Sequence, residues 1–590
     1  MSNPGVLAAD LPLFDRNFWD GTFRFTRIGS GSIGGKASGL AQIKDLLAIH
    51  LPEFRNSPDI EVNVPTLAVI ATGCFDEFLK INRLSELTLE ELADERIGHA
   101  FQKADLPVEL LGDLRALSQQ VKTPLAIRSS SLLEDKLGRP FAGVYATKMI
   151  PNNQFDVDSR FQKLVEAIKY VYASTFFREA RDYIQTTGHH LHEEKMAVII
   201  QEIVGLRHGD RFYPDISGVA RSFNYYPTGT ALPEQGVASL ALGLGKTIVD
   251  GGLSWTYSPA HPKVPPPFGS IDEILEGTQT RFWAVNMGKP PAYDPVSETE
   301  YLVNATLADA ESDEVLRYIA STFDPERDRL VPGTFANGPR VVNFAPLLLL
   351  EQLPLNYLVQ TLLRATEKSV GEKVEIEFAI TIQQHRGERS SVRVGFLQVR
   401  PIVVSHERVS VSEEDLFDSS AIVASNAVLG NGAIDDVCDI VYVRPDTFSP
   451  EHTPKIAQEI GDFNRELCDR KRPYLLIGFG RWGSTHPSLG IPVDWSQISG
   501  ARTIVESTLP NMNVDFSQGS HFFHNLSSFE ATYFMLRYDG DFQIDWEWLA
   551  RQALLKETDH IRHLRTEQPL VIRVDGRRGF GVIRSRRNSE

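Results

Sequence analysis

The sequence predicts a multidomain protein of mixed class, α+β and α/β, and three observations carry that prediction. At 590 residues the chain has room for roughly three to five domains of about 100–200 residues each. Short β-branched runs bounded by turn residues alternate with longer runs whose apolar residues recur at helical spacing. Near residues 403–420 the composition turns polar and acidic, in "VVSHERVSVSEEDLFDSS", before a strand-rich pattern resumes.

Taken in order, "FRFTRI" reads as a strand and is followed by the glycine-rich "GSGSIGGKASGL". A helix is predicted to begin near Lys36, because Leu40, Ile43 and Leu47 fall on one face. "TPLAIRSS" is a strand that delivers Arg128 and then Ser129, Ser130 and Ser131 at its end. "DSRFQKLVEAIKYVYASTFFREARDYIQ" is helical, whereas "KMAVIIQEIV" and "ISGVARSF" are strands. Proline-rich "SPAHPKVPPPFGS" is a surface loop, since proline fixes an extended path and cannot donate to a ladder. "VEIEFAI" and "GFLQVRPIVV" close the first part, and "DIVYVRP", "PYLLIGFG" and "RTIVES" are the strands of the second.

Composition excludes several classes. With 42% apolar and 23% charged residues the chain has ordinary globular usage. It holds no run of about 18 apolar residues, and "MSNPGVLAADLPLF" lacks a basic start and a long apolar core, so no membrane association and a cytoplasmic location are expected. A net charge of −17 opposes nucleic-acid binding. The arginine-rich tail "RVDGRRGFGVIRSRR" is read as a solvated strand pair. Cys74, Cys438 and Cys468 are too dispersed for a disulfide framework or a zinc site. His189, His190 and His192 do not share a face of a helix or strand and are read as an exposed loop.

The stretch Arg27 to Ile43 admits several phosphate-binding readings, and context removes the familiar ones. A dinucleotide fold needs an acid closing a second strand about 20 residues on, but Glu53 lies in a proline-flanked loop. A P-loop needs glycine and a hydroxyl where Ser30 and Ala37 stand. "LALGLGKTIVDGG" fails the same test at Leu240. What remains is a glycine turn at a helix start, with Lys36 as a mobile cation, open equally to a purely structural turn. Glu375 and Glu377 share a strand face by the period of two, and so do Gln398 and Arg400. Two carboxylates on one face call for a basic group or a hard cation such as magnesium. Surface ion pairs are the alternative.

In order, "GGKASGL", "IRSSSLLEDKLGRPFAGVYAT", "AVIIQEIVG", "ISGVARSFNYYP", "LGLGKTIVDGG", "VEIEFAI" and "LQVRP" resemble the ATP-grasp nucleotide-binding domain of the phosphoenolpyruvate synthase and pyruvate phosphate dikinase family. The resemblance implies that Lys36 and Arg128 contact ATP phosphates and that Gln201, Glu202, Ile203 and Val204 line the adenine pocket. It also implies that Glu377 and Gln398 hold magnesium and that Arg400 faces the transferring phosphoryl group. The expected organisation is an extension at 1–20, ATP-grasp subdomains at 21–195 and 196–403, a linker at 404–420, and an α/β domain at 421–590.

After residue 403 the resemblance stops. About 190 residues follow, fewer than the roughly 250 of a barrel domain, and no T-S-H-A segment is present. Gly478, Gly480 and Gly483 around Arg481 suggest an anion-binding turn near His486. "DFSQGSHFFHNLSSFEATYF" sets His521 among polar and aromatic neighbours. His521 and then His486 are the candidates for a phosphoryl-accepting histidine, against a purely structural role for both. The expected activity is a dikinase-type phosphotransfer from ATP to a histidine, or to an unidentified small-molecule or protein acceptor. A nucleotide-binding regulator and an ATP-grasp ligase are the alternatives. Oligomeric state, a homo-oligomer included, stays open.

Overall fold

The computed structural model describes residues 11–16, 25–50, 60–84, 92–132, 134, 143–186, 194–224, 231–250, 252–264, 271–383, 391–402, 409–484, 489–510, 512 and 531–586. His189, His190, His192, His486 and His521 lie outside the described residues.

Two sheets frame the first part of the chain. One has five strands in the order Phe25–Ile28, Leu67–Ile70, Met196–Glu202, Leu125–Ser131 and Thr147–Ile150. Its first pair is parallel and the other pairs are antiparallel. Helix Val157–Ser174 packs on this sheet, opened by Asp156, whose carboxylate accepts the Ser159 N–H at 2.7 Å. The long helical run foreseen from periodicity is broken here. A turn at Thr175–Phe177 separates Val157–Ser174 from Arg178–Thr186 and sends Phe176 into an aromatic cluster with Phe75 and Phe101.

The second sheet has six strands, Trp255–Tyr257, Val237–Ala241, Ile216–Arg221, Val374–Gln383, Ser391–Pro401 and Ile60–Asn63. Helix Gly34–His50 lies against Ser391–Pro401 and buries Leu40, Ile43 and Leu47, the face read from the sequence. Because Ile60–Asn63 joins this sheet and Met196–Glu202 the other, the chain passes between the two sheets repeatedly.

Beyond the acidic stretch, a seven-stranded sheet runs Val428–Leu429, Thr532–Leu536, Ala501–Ser507, Tyr474–Phe479, Asp439–Val443, Ile561–Arg565 and Ala553–Glu557. Asp439–Val443, Tyr474–Phe479, Ala501–Ser507 and Thr532–Leu536 pair in parallel. The first two are joined through helix Thr453–Asp469. Asp439, buried where this parallel set begins, is compensated by Arg472, Arg565 and His563. The arginine-rich tail forms the antiparallel pair Val571–Asp575 and Phe580–Arg584, with Arg573 paired to Asp435 and Arg584 to Asp415. No disulfide joins Cys74, Cys438 and Cys468, and burial pushes the Cys74 thiol up to about 11. Among the described residues, no helix is long and apolar enough to cross a membrane.

Candidate functional site

The five- and six-stranded sheets both contribute to the wall of a cavity of about 240 Å³. Lys36, Arg128, Gln201, Glu202, Ile203, Val204, Glu377 and Gln398 all line it, although they come from five separate stretches of the chain.

Lys36 sits in the first turn of helix Gly34–His50 and is buried. Its ammonium donates to Glu134 at 2.8 Å and to the Ser129 hydroxyl at 3.1 Å. The Glu134 carboxylate in turn accepts the Ser131 N–H at 2.8 Å. The lysine is therefore fixed rather than mobile. The glycines before it act through close approach: a Cβ on Gly34, at φ +76°, would stand 1.7 Å from the Ser130 carbonyl oxygen. Ser32 N–H donates to the Thr72 hydroxyl at 3.0 Å, so the turn is packed against a neighbouring loop. Of the Gly29–Lys36 segment, only Lys36 is among the described residues that line the cavity.

Arg128 occupies strand Leu125–Ser131 and reaches the second sheet. It donates to Gln398 Oε1 at 2.7 Å and to the Leu397 carbonyl at 2.8 Å, and lies 3.5 Å from Glu377. Antiparallel register sets Glu377 opposite Gln398 and Glu375 opposite Arg400. Arg400 is 1% exposed, 2.9 Å from Glu375 and 2.5 Å from Glu377, and does not line the cavity. Arg221 adds a 2.6 Å bond to Glu375. The two carboxylates are thus neutralised by arginines. Burial by itself would push the Glu377 carboxyl up, but Arg400, Arg128 and Lys36 outweigh it and hold the group below the usual glutamate value.

On another side of the cavity Ile203, Met149, Leu244 and Leu302 belong to one apolar cluster. Beside them the Gln201 amide nitrogen is buried with no hydrogen-bond partner among the described residues, and its oxygen receives Arg128 at 3.4 Å. A buried donor left without an acceptor is costly, so this wall suits a ligand that brings one. No group of three or more His, Cys, Asp or Glu side chains among the described residues is placed to hold a metal. A hard cation here would have Glu377 and the Gln398 carbonyl oxygen as protein ligands and would complete its shell with phosphate and water, the usual habit of magnesium.

Sequence reasoning missed Glu134, which carries no pattern of its own, and passed over Lys246, Asp250 and Glu298, which line the cavity. Lys246 belongs to the failed P-loop stretch, so a motif test that rejected one site hid the residue's place in another. Arg481, between Gly480 and Gly483 with φ of +70° and +75°, is buried at the end of strand Tyr474–Phe479 and is not part of this cavity.

The fold is that of a mixed α/β protein with its cavity walled by two sheets. The profile of the pyruvate phosphate dikinase AMP/ATP-binding domain matches residues 30–420, more than half of the chain, and the chain belongs to that family. It is also similar to an uncharacterized phosphotransferase, YvkC, of Bacillus subtilis (strain 168), with 26% identity over 191 residues. That match spans 32% of this chain and 20% of the length of the relative.

Proposed function

We propose that this chain is a phosphotransferase of dikinase type that binds Mg-ATP in an ATP-grasp cleft and passes a phosphoryl group to a histidine or to a small-molecule or protein acceptor. The observation that carries the reading is the convergence of Lys36, Arg128, Gln201–Val204, Glu377 and Gln398 on one cavity in a chain of the dikinase nucleotide-binding family. The name of the Bacillus relative points the same way.

In this reading the adenine lies against Ile203 and its apolar neighbours, with Gln201 and the 202–204 backbone fixing its edge. Lys36 and Arg128 neutralise the polyphosphate, and Glu377 and Gln398 hold magnesium. When bound, magnesium supplies charge neutralisation at the phosphoryl oxygens. Two further residues act by positioning: Glu134 holds the Lys36 ammonium, and Arg400 fixes the Glu377 carboxylate. For Arg400 to meet the transferring phosphoryl group itself, it has to leave Glu375 and Glu377. His521 and His486 remain the proposed acceptors in the C-terminal part, and a cytoplasmic location goes with this chemistry.

ATP labelled separately at the β and γ phosphates tests the proposal. AMP together with labelled protein or acceptor supports a dikinase. ADP indicates a simple kinase or ligase, and unchanged ATP with measurable binding indicates a regulator.

A further inference from the structure

Lys246, Asp250 and Glu298 line the cavity but have no part in holding base or phosphate as described so far. The Lys246 ammonium lies 3.1 Å from Asp250 and 3.2 Å from Glu298. Lys246 and Asp250 stand four residues apart across the short helix Lys246–Val249. Glu298 comes from another segment, which Lys148 pins by a 2.9 Å bond to the Pro295 carbonyl and a 2.7 Å ion pair with Glu300. The trio is therefore held from two directions.

Its neighbours show what it faces. Leu244, two residues before Lys246, and Leu302, four after Glu298, pack with Met149 and Ile203 in the apolar cluster. A nucleotide with its base in that slot and its phosphates at Lys36 and Arg128 has its sugar between the two. Sugar hydroxyls donate and need acceptors. Among the described residues, four carboxylates line the cavity: Glu202, Asp250, Glu298 and Glu377. Arg400 and Arg128 engage Glu377, and the Thr123 hydroxyl donates to Glu202 at 2.6 Å. Among the described residues, Asp250 and Glu298 receive side-chain hydrogen bonds from Lys246 alone. Each carboxylate accepts about four hydrogen bonds, so both retain capacity, whereas an ammonium only donates. The amide nitrogen of the 1%-exposed Gln201, which lines the same cavity, has no partner among the described residues, so the pocket is built for a polar ligand.

We propose that Asp250 and Glu298, oriented by Lys246, accept the ribose hydroxyls of the bound nucleotide and make the site selective for ribonucleotides over deoxyribonucleotides. The proposal rests on the nucleotide-binding reading of the cavity. Burial would lower the Lys246 pKa, but Glu298 and Asp250 outweigh it, so the ammonium stays charged and holds both carboxylates beside it.

Calorimetric titration of the full chain with ATP, 2′-deoxyATP and 3′-deoxyATP in the presence of Mg²⁺ tests it. Wild type is expected to bind ATP at least about tenfold more tightly than one or both deoxy forms, because a site built for a hydroxyl rejects its absence. Glu298→Ala or Asp250→Ala should bring that ratio to within about twofold by weakening ATP while leaving the deoxy forms nearly unchanged. Thermal melting would confirm that the variants fold. Equal binding of all three nucleotides by wild type, or a ratio unmoved in both variants, overturns the ribose assignment and leaves the nucleotide reading standing. No binding of any of them overturns both.

Discussion

At the scale of single residues, Arg128 is the side chain on which the two sheets meet around the cavity. Arg128→Ala removes a cation from the proposed polyphosphate site but leaves Glu377 paired with Arg400, so the fold should survive. We expect nucleotide turnover to fall by at least about a hundredfold, the scale at which loss of one preorganised charge is felt in a transition state. Glu377→Gln should do the same by removing the proposed metal ligand, and near wild-type turnover in either variant would remove that residue from the site. Glu194 offers a test through pH. Burial first, with the Glu134 charge adding, pushes its carboxyl from 4.5 up to about 7, while the Tyr145 hydroxyl at 3.0 Å and two backbone N–H groups work the other way. The folded protein thus keeps a proton there that the unfolded chain releases near pH 4.5. Its contribution to stability is fully present below that pH and is lost as the pH rises to about 7, after which it levels. Glu194→Gln should flatten the fall of melting temperature across this window. Asp215, also raised to about 7 by burial, keeps some slope in the variant. Parallel curves for variant and wild type would show that Glu194 does not titrate this way.

At the scale of elements, the turn into helix Gly34–His50 depends on backbone contact with strand Leu125–Ser131. Gly34→Ala would set a Cβ 1.7 Å from the Ser130 carbonyl at a positive φ, with backbone rather than a yielding side chain in the way. A loss of about 3 kcal/mol or more is expected, read from chemical denaturation, against less than about 1 kcal/mol if the turn can shift. Such contacts mark the boundary of what local pattern conveys. Alternation in "VEIEFAI" was enough to put Glu375 and Glu377 on one face, and the structure joins both to Arg400. Which residue stands opposite which depends on sheet register, a long-range property, so the Glu377–Gln398 and Glu375–Arg400 pairings were not legible. The break at Thr175–Phe177 carries neither glycine nor proline, and tertiary packing of Phe176 decided it. Lys36 was legible as a cation at a helix start, but its immobility came from Glu134, a single acid nearly a hundred residues away in the chain.

At the scale of the whole molecule, phosphoryl transfer to the C-terminal part requires the acceptor to reach the nucleotide cavity. Helix Arg178–Thr186 packs against the turn at Trp495–Gln497, and burial, together with neighbouring carboxylates, raises the pKa of Glu179 there. Residues 409–417 are tied to the C-terminal strands, with Arg578 donating to the Val411 carbonyl at 3.1 Å and Arg584 pairing with Asp415 at 2.7 Å. A swing of the C-terminal part would therefore have to break the first contact and carry residues 409–417 with it. If His521 is the acceptor, incubation with labelled ATP leaves label on the protein that acid removes and alkali does not, as for a phosphohistidine. His521→Ala should then lose that label while still binding ATP, and His486→Ala should keep it. Loss in His486→Ala alone would move the acceptor there. Acid-labile label that persists in the double variant would sink both assignments, and AMP formed with no protein label would mean direct transfer to a free acceptor.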